Sequence, residues 1–431
     1  MFTYRLAFFT VALALQTGSA QTSRGTVTGV ITDASGATIV GAGVELTSRD
    51  TNATRNTTTN DSGLYRFDSV DIGKHDLSVR TGGFKNATIR NFDVQGGQVA
   101  SIDVKLEVGE VQTTVEVASD AILLQTEAPV RGGNITSAQV SQLPVALRNP
   151  VALALNVPGV ATNRYGNGIQ TFTVNGARGR SNNFLLDGTE NNDISVAGQG
   201  FQLKNPDAVQ EVNVQTSNYD SDYGRAGGGV INVITKSGTN DYHGTLGYIL
   251  DSTFDDAITN TQSLNNQALE RGRPFFGIEQ WHHGTFGGRI VRDRTFFFGS
   301  YQEQHQRSQS QGNVRIPTAA GRATLNSVFP RGTSPNLDHF FELVGVINGT
   351  ANVFNVPLSA GRPGVEFGTS TFGYAQTLSD RQWTAKVDHR PSDRDQLTFR
   401  YATSNISRPV AGETTSFPGL FTSNPQAYHN A

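Results

Sequence analysis

From Tyr242 to Ser404 the chain is written in alternating segments, and the connections between them are by turns long and short. Tyr242–Leu250 puts Tyr242, Gly244, Leu246, Tyr248 and Leu250 on one face. A long polar stretch follows, and then Trp281–Ile290 and Thr295–Gln304 are joined by the tight turn Val291–Arg294. A second long polar stretch leads to Arg381–Arg390, where Trp383, Ala385, Val387 and His389 lie opposite Lys386 and Asp388. Pro391–Arg394 turns into Asp395–Ser404, with Leu397, Phe399 and Tyr401 on one side. Period two is the strand period. A soluble sandwich would alternate too, but it would not predict long connections on one side and tight turns on the other. That asymmetry is the pattern of an outer-membrane barrel, apolar outward and polar inward. A barrel is also the only way this chain can cross a bilayer, because no segment after the N-terminus is apolar for long enough to span as a helix.

Arg5 precedes the apolar run Leu6–Leu15, with the small residues Gly18 and Ala20 behind it. The run is too short to span, and its flanks read as a secretory signal peptide over residues 1–20. Charged residues make up 16% and hydrophobic residues 36%, while Gly occupies 47 positions, a balance that suits short strands and turns. The net charge of −3 gives no basic footprint, so no nucleic-acid partner is expected. With no Cys there is neither a disulfide framework nor a thiolate metal site to read.

Residues 21–108 read as a β-sandwich. Gly25–Asp33 alternates and ends in the turn Asp33-Ala-Ser-Gly36, Val44–Leu46 is a short strand, and Asn60-Asp-Ser-Gly63 turns into Leu64–Phe67. Leu77–Val79 and Val99–Leu106 complete the unit. Gly29–Asp33, Val40–Val44 and Asp61–Phe67 resemble the carboxypeptidase regulatory-like domain, a transthyretin-like accessory sandwich without an active site. Tyr65, Phe67, Phe84 and Phe92 read as core rather than as a platform for sugar.

Residues 109–120 are an extended linker with Val/Thr alternation. Two readings stand side by side: a solvated connector, or a strand that adds to another protein's sheet edge. Residues 121–240 mix short apolar stretches with Asn- and Gly-rich loops. Val151–Val157 reads as a short helix stopped by Pro158-Gly159, Val209–Gln215 alternates, and Gly224–Ile234 follows. The glycine run lacks both the phosphate-cradling and the dinucleotide spacing.

Asn175-Gly176…Leu186-Asp187-Gly188 resembles the plug of TonB-dependent receptors. Tyr223–Asn240 does so too, through Gly224, Arg225, Gly227, Gly228, Thr235, Lys236, Ser237 and Gly238. Together with the sandwich, this is similar to the Oar-like branch of that family. The resemblance implies a mainly β chain: sandwich, α+β plug over 121–240, and the first strands of an incomplete transmembrane barrel over 241–431. It further implies an outer-membrane receptor of a Gram-negative-type bacterium, surrounded by lipid and engaging a TonB-type energy-coupling protein. The coupling segment, the TonB box, falls on Val111, Thr113, Thr114, Val115 and Val117. With Leu186 as a further part of the plug motif, Asn175, Gly176, Arg178, Asp187 and Gly188 would act chiefly as turn and packing residues, and Arg178, Arg180 and Lys236 are candidates to pair with acidic groups of the lumen. The substrate class stays open among siderophore, saccharide and peptide, and no catalytic residue, metal or cofactor is expected. His282 and His283 are adjacent on a strand and point to opposite faces, so they do not share a metal. About five strands cannot close a plugged barrel, which takes about 22. The expectation is therefore the front of a longer receptor or a split or truncated gene. An adhesion protein and an inert remnant are the competing functional readings.

Overall fold

The computed structural model describes residues 23–109, 114–118, 130–143, 148–162, 172–193, 198–219, 223–224, 226–254, 256–258, 276–344, 350–358, 361–392, 395–410 and 422–430. The expected signal peptide lies outside them. Among the described residues no helix is long and apolar enough to cross a membrane.

The first unit contains β1 (Gly25–Thr32), β2 (Gly43–Ser48), β3 (Thr54–Thr58), β4 (Leu64–Val70), β5 (Gly73–Arg80), β6 (Asn86–Val94), β7 (Val99–Ser101), β8 (Val104–Lys105) and β9 (Thr114–Ala118). One sheet runs β4-β1-β7, with β8 also on β1, and the other runs β3-β2-β5-β6-β9. The turns that the sequence marks are held by their own side chains. Asp33 accepts the Ser35 and Ala37 amides at 2.8 and 3.0 Å. Asn60 accepts those of Ser62 and Leu64, both at 3.0 Å. Such Asx contacts stand in for backbone turns. Val27, Ile31, Val44, Leu77, Val79 and Ile89 fill the space between the sheets. Tyr65, Phe67 and Phe92 are buried there as well, and Phe84 packs against the cluster. The Tyr65 hydroxyl donates to the Ile102 carbonyl at 2.8 Å, which removes the cost of burying it. No aromatic platform remains on these four residues.

The second unit contains β10 (Arg131–Thr136), β11 (Val160–Thr162), β12 (Phe172–Val174), β13 (Asn183–Leu186), β14 (Thr189–Glu190), β15 (Val209–Ser217) and β16 (Val230–Thr235). Its main sheet is ordered β10-β15-β16-β13-β14, and only the β13–β16 pair is parallel. Every residue of β16 is buried, so both faces of this central strand are covered and its sequence cannot alternate. The helix read at Val151–Val157 is a 3-10 helix, Pro150–Asn156, capped by the Asn149 side chain. A short helix absent from the sequence reading, α1 (Ser137–Gln142), opens with a Thr136/Gln139 capping box.

The third unit is an antiparallel sheet of β17 (His243–Ser252), β18 (Gly277–Val291), β19 (Thr295–Pro317), β20 (Ala351–Val356), β21 (Val365–His389), β22 (Leu397–Val410) and β23 (Thr422–Asn430). The order is β17-β18-β19-β21-β22-β23, with β20 on the far end of β21. The tight turn expected at Val291–Arg294 is present, and His389 pairs with Leu397 across the second expected turn, Pro391–Arg394, of which residues 393–394 lie outside the described residues. The long second connection is not simply polar loop, because it carries α2 (Ala319–Val328) and α3 (Pro335–Val344). β19 and β21, at 23 and 25 residues, extend well past the segments expected at Thr295–Gln304 and Arg381–Arg390. A bilayer needs only about 9–11 tilted residues. Beyond it, strands are held by backbone pairing alone and need no apolar face, so alternation ceases to mark them.

Leu77 touches both sheets' contents from the middle of β5 and is fully buried. Leu77→Ala is expected to destabilise the sandwich by roughly 2–5 kcal/mol. Its urea midpoint, read through tyrosine fluorescence, should fall accordingly; an unchanged midpoint contradicts this packing.

The plug seat on the barrel wall

The wall is inverted relative to a soluble sheet. Leu246, Tyr248, Leu250, Phe286, Ile290, Trp383, Leu397 and Phe399 are bare on one face. His283, Thr285, Ser300, Gln302, Gln304, Asp380, Gln382, Thr384, Lys386, Asp388, Arg400 and Ser404 are buried on the other. What buries them is the second unit, whose core also takes in Phe298 and Ala402 from the wall. His282 faces outward beside Tyr248 while His283 faces inward, so the two imidazoles are on opposite faces as expected. Among the described residues no group of three or more acidic, His or Cys side chains is placed to hold a metal.

Asp187 is the centre of the seat. Leu186 pairs with Thr189, which leaves Asp187-Gly188 as a two-residue hairpin loop with φ of 49° and 79°. Both residues are left-handed, the conformation for which Asp-Gly is the favoured pair. The turn projects the Asp187 carboxylate beside the end of β16, where it accepts the Thr235 amide and hydroxyl, both at 2.7 Å. From the wall, Arg400 Nε comes to 3.5 Å and Lys386 Nζ to 3.7 Å. One buried carboxylate thus faces two buried cations across the junction. Low dielectric makes such a group strongly position-dependent.

Two further contacts flank it. Lys204 Nζ meets Asp380 at 2.7 Å, and Asp380 is also held by Ser404 at 2.7 Å. Gln382 reads the plug backbone twice, accepting the Lys204 amide at 3.1 Å and donating to the Gln202 carbonyl at 2.9 Å. On the other flank Asp207 lies 3.4 Å from His283 and accepts the Thr245 hydroxyl at 3.1 Å. The His283 hydrogen bond holds the Asp207 carboxyl below its ordinary range. Lys236, which follows β16, is pushed down chiefly by burial, and Asp207 opposes this.

The sequence-marked residues are divided by the structure. Asn175 and Gly176 form a left-handed turn, and the Asn175 amide group donates to the Thr216 carbonyl at 2.7 Å. The amides of Gly227 and Gly228 bond the Ser181 carbonyl, while the Gly224 carbonyl accepts from Asn183 at 3.1 Å. Arg178 and Arg180 are exposed, and among the described residues neither forms an ion pair. Ser237 and Gly238 line a cavity of about 540 Å³ that also holds Asp187, Lys386 and Arg390. A Cβ on Gly238 would meet the Phe297 carbonyl oxygen at 2.3 Å, so only glycine lets the chain pass this close to the wall. Arg225, Val111 and Thr113 lie outside the described residues. Thr114, Val115 and Val117 belong to β9, which pairs in parallel with β6. The linker strand is therefore attached to the sandwich edge.

Sequence reading did not single out Lys204, Asp207, Asp380 or Arg400 as site residues. Asp380 and Arg400 share the wall frame of Lys386, two residues apart in period, and the alternation could have placed them inward. Lys204 and Asp207 carry no such signal, because they sit in irregular chain around a 3-10 turn, Pro206–Ala208.

A sandwich followed by a plug seated on a lipid-facing wall defines a plugged outer-membrane receptor. The profile of the carboxypeptidase regulatory-like domain matches residues 26–107, that of the TonB-dependent receptor plug domain 125–230, and that of an outer membrane beta barrel domain 234–431. The chain belongs to the TonB-dependent receptors. It is 26% identical over 318 residues to the TonB-dependent transporter Oar of Myxococcus xanthus, covering 69% of this chain and 28% of Oar. The chain thus spans a little over a quarter of that relative's length. Among solved structures, the outer membrane transporter YddB of Escherichia coli superposes with a TM-score of 0.46 at 16% identity, over 71% of this chain and 37% of YddB. A ferric enterobactin receptor of Pseudomonas aeruginosa gives a TM-score of 0.40 at 15% identity, over 70% and 38%.

Asp187→Asn keeps the shape of the turn but removes the negative charge that Lys386 and Arg400 approach across the junction. We expect plug seating to weaken by roughly 3–5 kcal/mol, the usual consequence of halving a buried pair. Protease cleavage of the plug in urea should begin at lower denaturant, and Lys386→Met in the same chain should restore part of the loss. An unaltered cleavage profile rules out Asp187 as the anchor.

Proposed function

We propose that this chain supplies the accessory sandwich, the plug and the first wall strands of an energised outer-membrane uptake receptor. Residues 1–20 direct export, 109–120 link sandwich to plug, and the barrel begins near residue 241. The observation that carries the reading is the wall itself: a bare apolar face opposite a polar face buried under a charged plug. A static adhesion module has no use for a plug held to its wall by ion pairs and amide contacts.

In this mechanism substrate settles at the outer end of the plug, and a TonB-type partner pulls from the periplasm. The pull separates Asp187 from Lys386 and Arg400 and opens a hydrated path along the glutamines of the wall. Those side chains can exchange plug contacts for water, so the path closes again without a large penalty. The segment Val111–Val117 is the handle. Its alternating, β-prone residues suit strand addition to a partner's sheet edge, where backbone hydrogen bonds supply the affinity.

Purified chain titrated with the periplasmic domain of a TonB-type protein tests the handle. Val115→Pro removes an amide donor from the middle of the segment and should weaken binding roughly tenfold or more. Equal affinity for wild type and variant would place the coupling segment elsewhere in the chain.

A further inference from the structure

The sandwich also holds the plug. The turn that joins β6 to β7, Gln95–Gln98, is pressed against the plug strands β10 and β15. The Gly96 amide donates to Glu211 Oε1 at 2.8 Å, and the Gly96 carbonyl accepts from Asn213 at 2.9 Å. Asn134 donates to Gln95 Oε1 at 3.1 Å and reaches Glu211 at 3.4 Å. The approach is as close as a backbone allows: a Cβ on Gly96 would stand 2.7 Å from Glu211 Oε1 and 2.7 Å from Ile234 Cδ1. The sandwich touches the wall as well, since Asp71 pairs with Arg390 and Asn52 donates to Asp293 at 3.2 Å.

Glu211 is the unusual member. It is 4% exposed, and among the described residues its hydrogen-bond donors, Gly96 N and Asn134 Nδ2, are neutral amides. The charged and titratable groups on the elements packed about it are Arg24 before β1, Asp93 in β6, Arg131 in β10 and Lys236 after β16. Among the described residues none of them forms an ion pair with it. Arg24 is engaged by Asp71 at 3.0 Å, and Lys236 is drawn to Asp207. His75, in the sandwich near Asp50, Asp71 and Arg390, and His243, which lines the same cavity as Arg24, Asp50, Asp71 and Lys236, are further titratable groups on this side. A carboxyl enclosed without a countercharge favours its neutral form.

We propose that the accessory sandwich is a retaining clasp for the plug, closed through the Gln95–Gln98 turn on an uncharged Glu211 and loosened when that carboxyl ionises. This role is independent of which substrate is carried and of whether the chain transports. Burial pushes the Glu211 carboxyl up from 4.5 to about 7 when docked. An acid raised on docking takes up a proton as the clasp closes. Docking is therefore strongest below the undocked value and is lost as pH rises through the docked one. By that linkage the docking equilibrium falls as pH rises from 5 to 8.5, by at most about 70-fold, the limit reached when all of the burial comes from docking.

The chain has no native Cys, so two engineered cysteines can report the clasp. Spin labels at Asp61→Cys in an exposed sandwich turn and Arg180→Cys on the plug, in full chain held in detergent, give the docked distance by pulsed electron resonance. The docked fraction should fall from pH 5 to pH 8.5 in the labelled wild type. Glu211→Gln keeps the acceptor without the charge and should stay docked at both values. This separates Glu211 from His75 and His243, which both proteins share. Gly96→Ala should lose the docked distance even at pH 5. A wild-type distribution indifferent to pH, or full pH dependence retained in Glu211→Gln, overturns the switch. A Gly96→Ala chain docked like wild type overturns the clasp itself.

Discussion

A β-sheet with its polar face buried and its apolar face bare cannot persist in water alone or in lipid alone. The apolar face needs hydrocarbon, and the polar face needs partners that satisfy hydrogen bonds and charges. The plug supplies those partners, and nearly everything else in the molecule follows. Lys386, Arg400 and Asp380 would each be costly inside a wall without the plug, and Asp187 and Lys204 would be costly inside a plug without the wall. Each half is incomplete, and the junction is where the two deficits cancel.

The junction is also of a kind that can be undone. Beside Phe298 and Ala402, which join the plug core, the described contacts across it include ion pairs, amides and hydroxyls. A polar contact costs little net free energy to exchange for water, whereas an apolar seam of the same extent would resist hydration. A stopper that must move through a water-filled lumen is better held by the former. The same logic extends to the sandwich, whose contacts with plug and wall run through Gly96, Asn213, Asn52 and Asp71 rather than through its hydrophobic core.

The three units read differently in sequence because they are buried differently. The sandwich is solvated on its outer faces, so β5 and β6 alternate and their turns carry Asp, Asn and Gly. The wall alternates for the opposite reason, with lipid on one side and plug on the other. The plug's β16 is enclosed on both sides and reads Val-Ile-Asn-Val-Ile-Thr, with no period to find. Asn232 within it gives its side-chain carbonyl to the Gly188 amide, so even its polar residue faces inward. Such a strand is recognisable only by resemblance or by coordinates.

Sequence alone determined what depends on neighbours along the chain. The Asp187-Gly188 turn follows from its dipeptide, the Asp33 and Asn60 turns from their side chains, and the inward frame of Lys386 and Asp388 from the two-residue period. Resemblance added the order of the units. Only the tertiary structure decided which charges meet. Lys204 finds Asp380 across 176 positions, and Gly96 finds Glu211 across 115. Nothing local in either residue marks its partner, because the energy of such a contact depends on burial and distance that exist only after sandwich, plug and wall have come together.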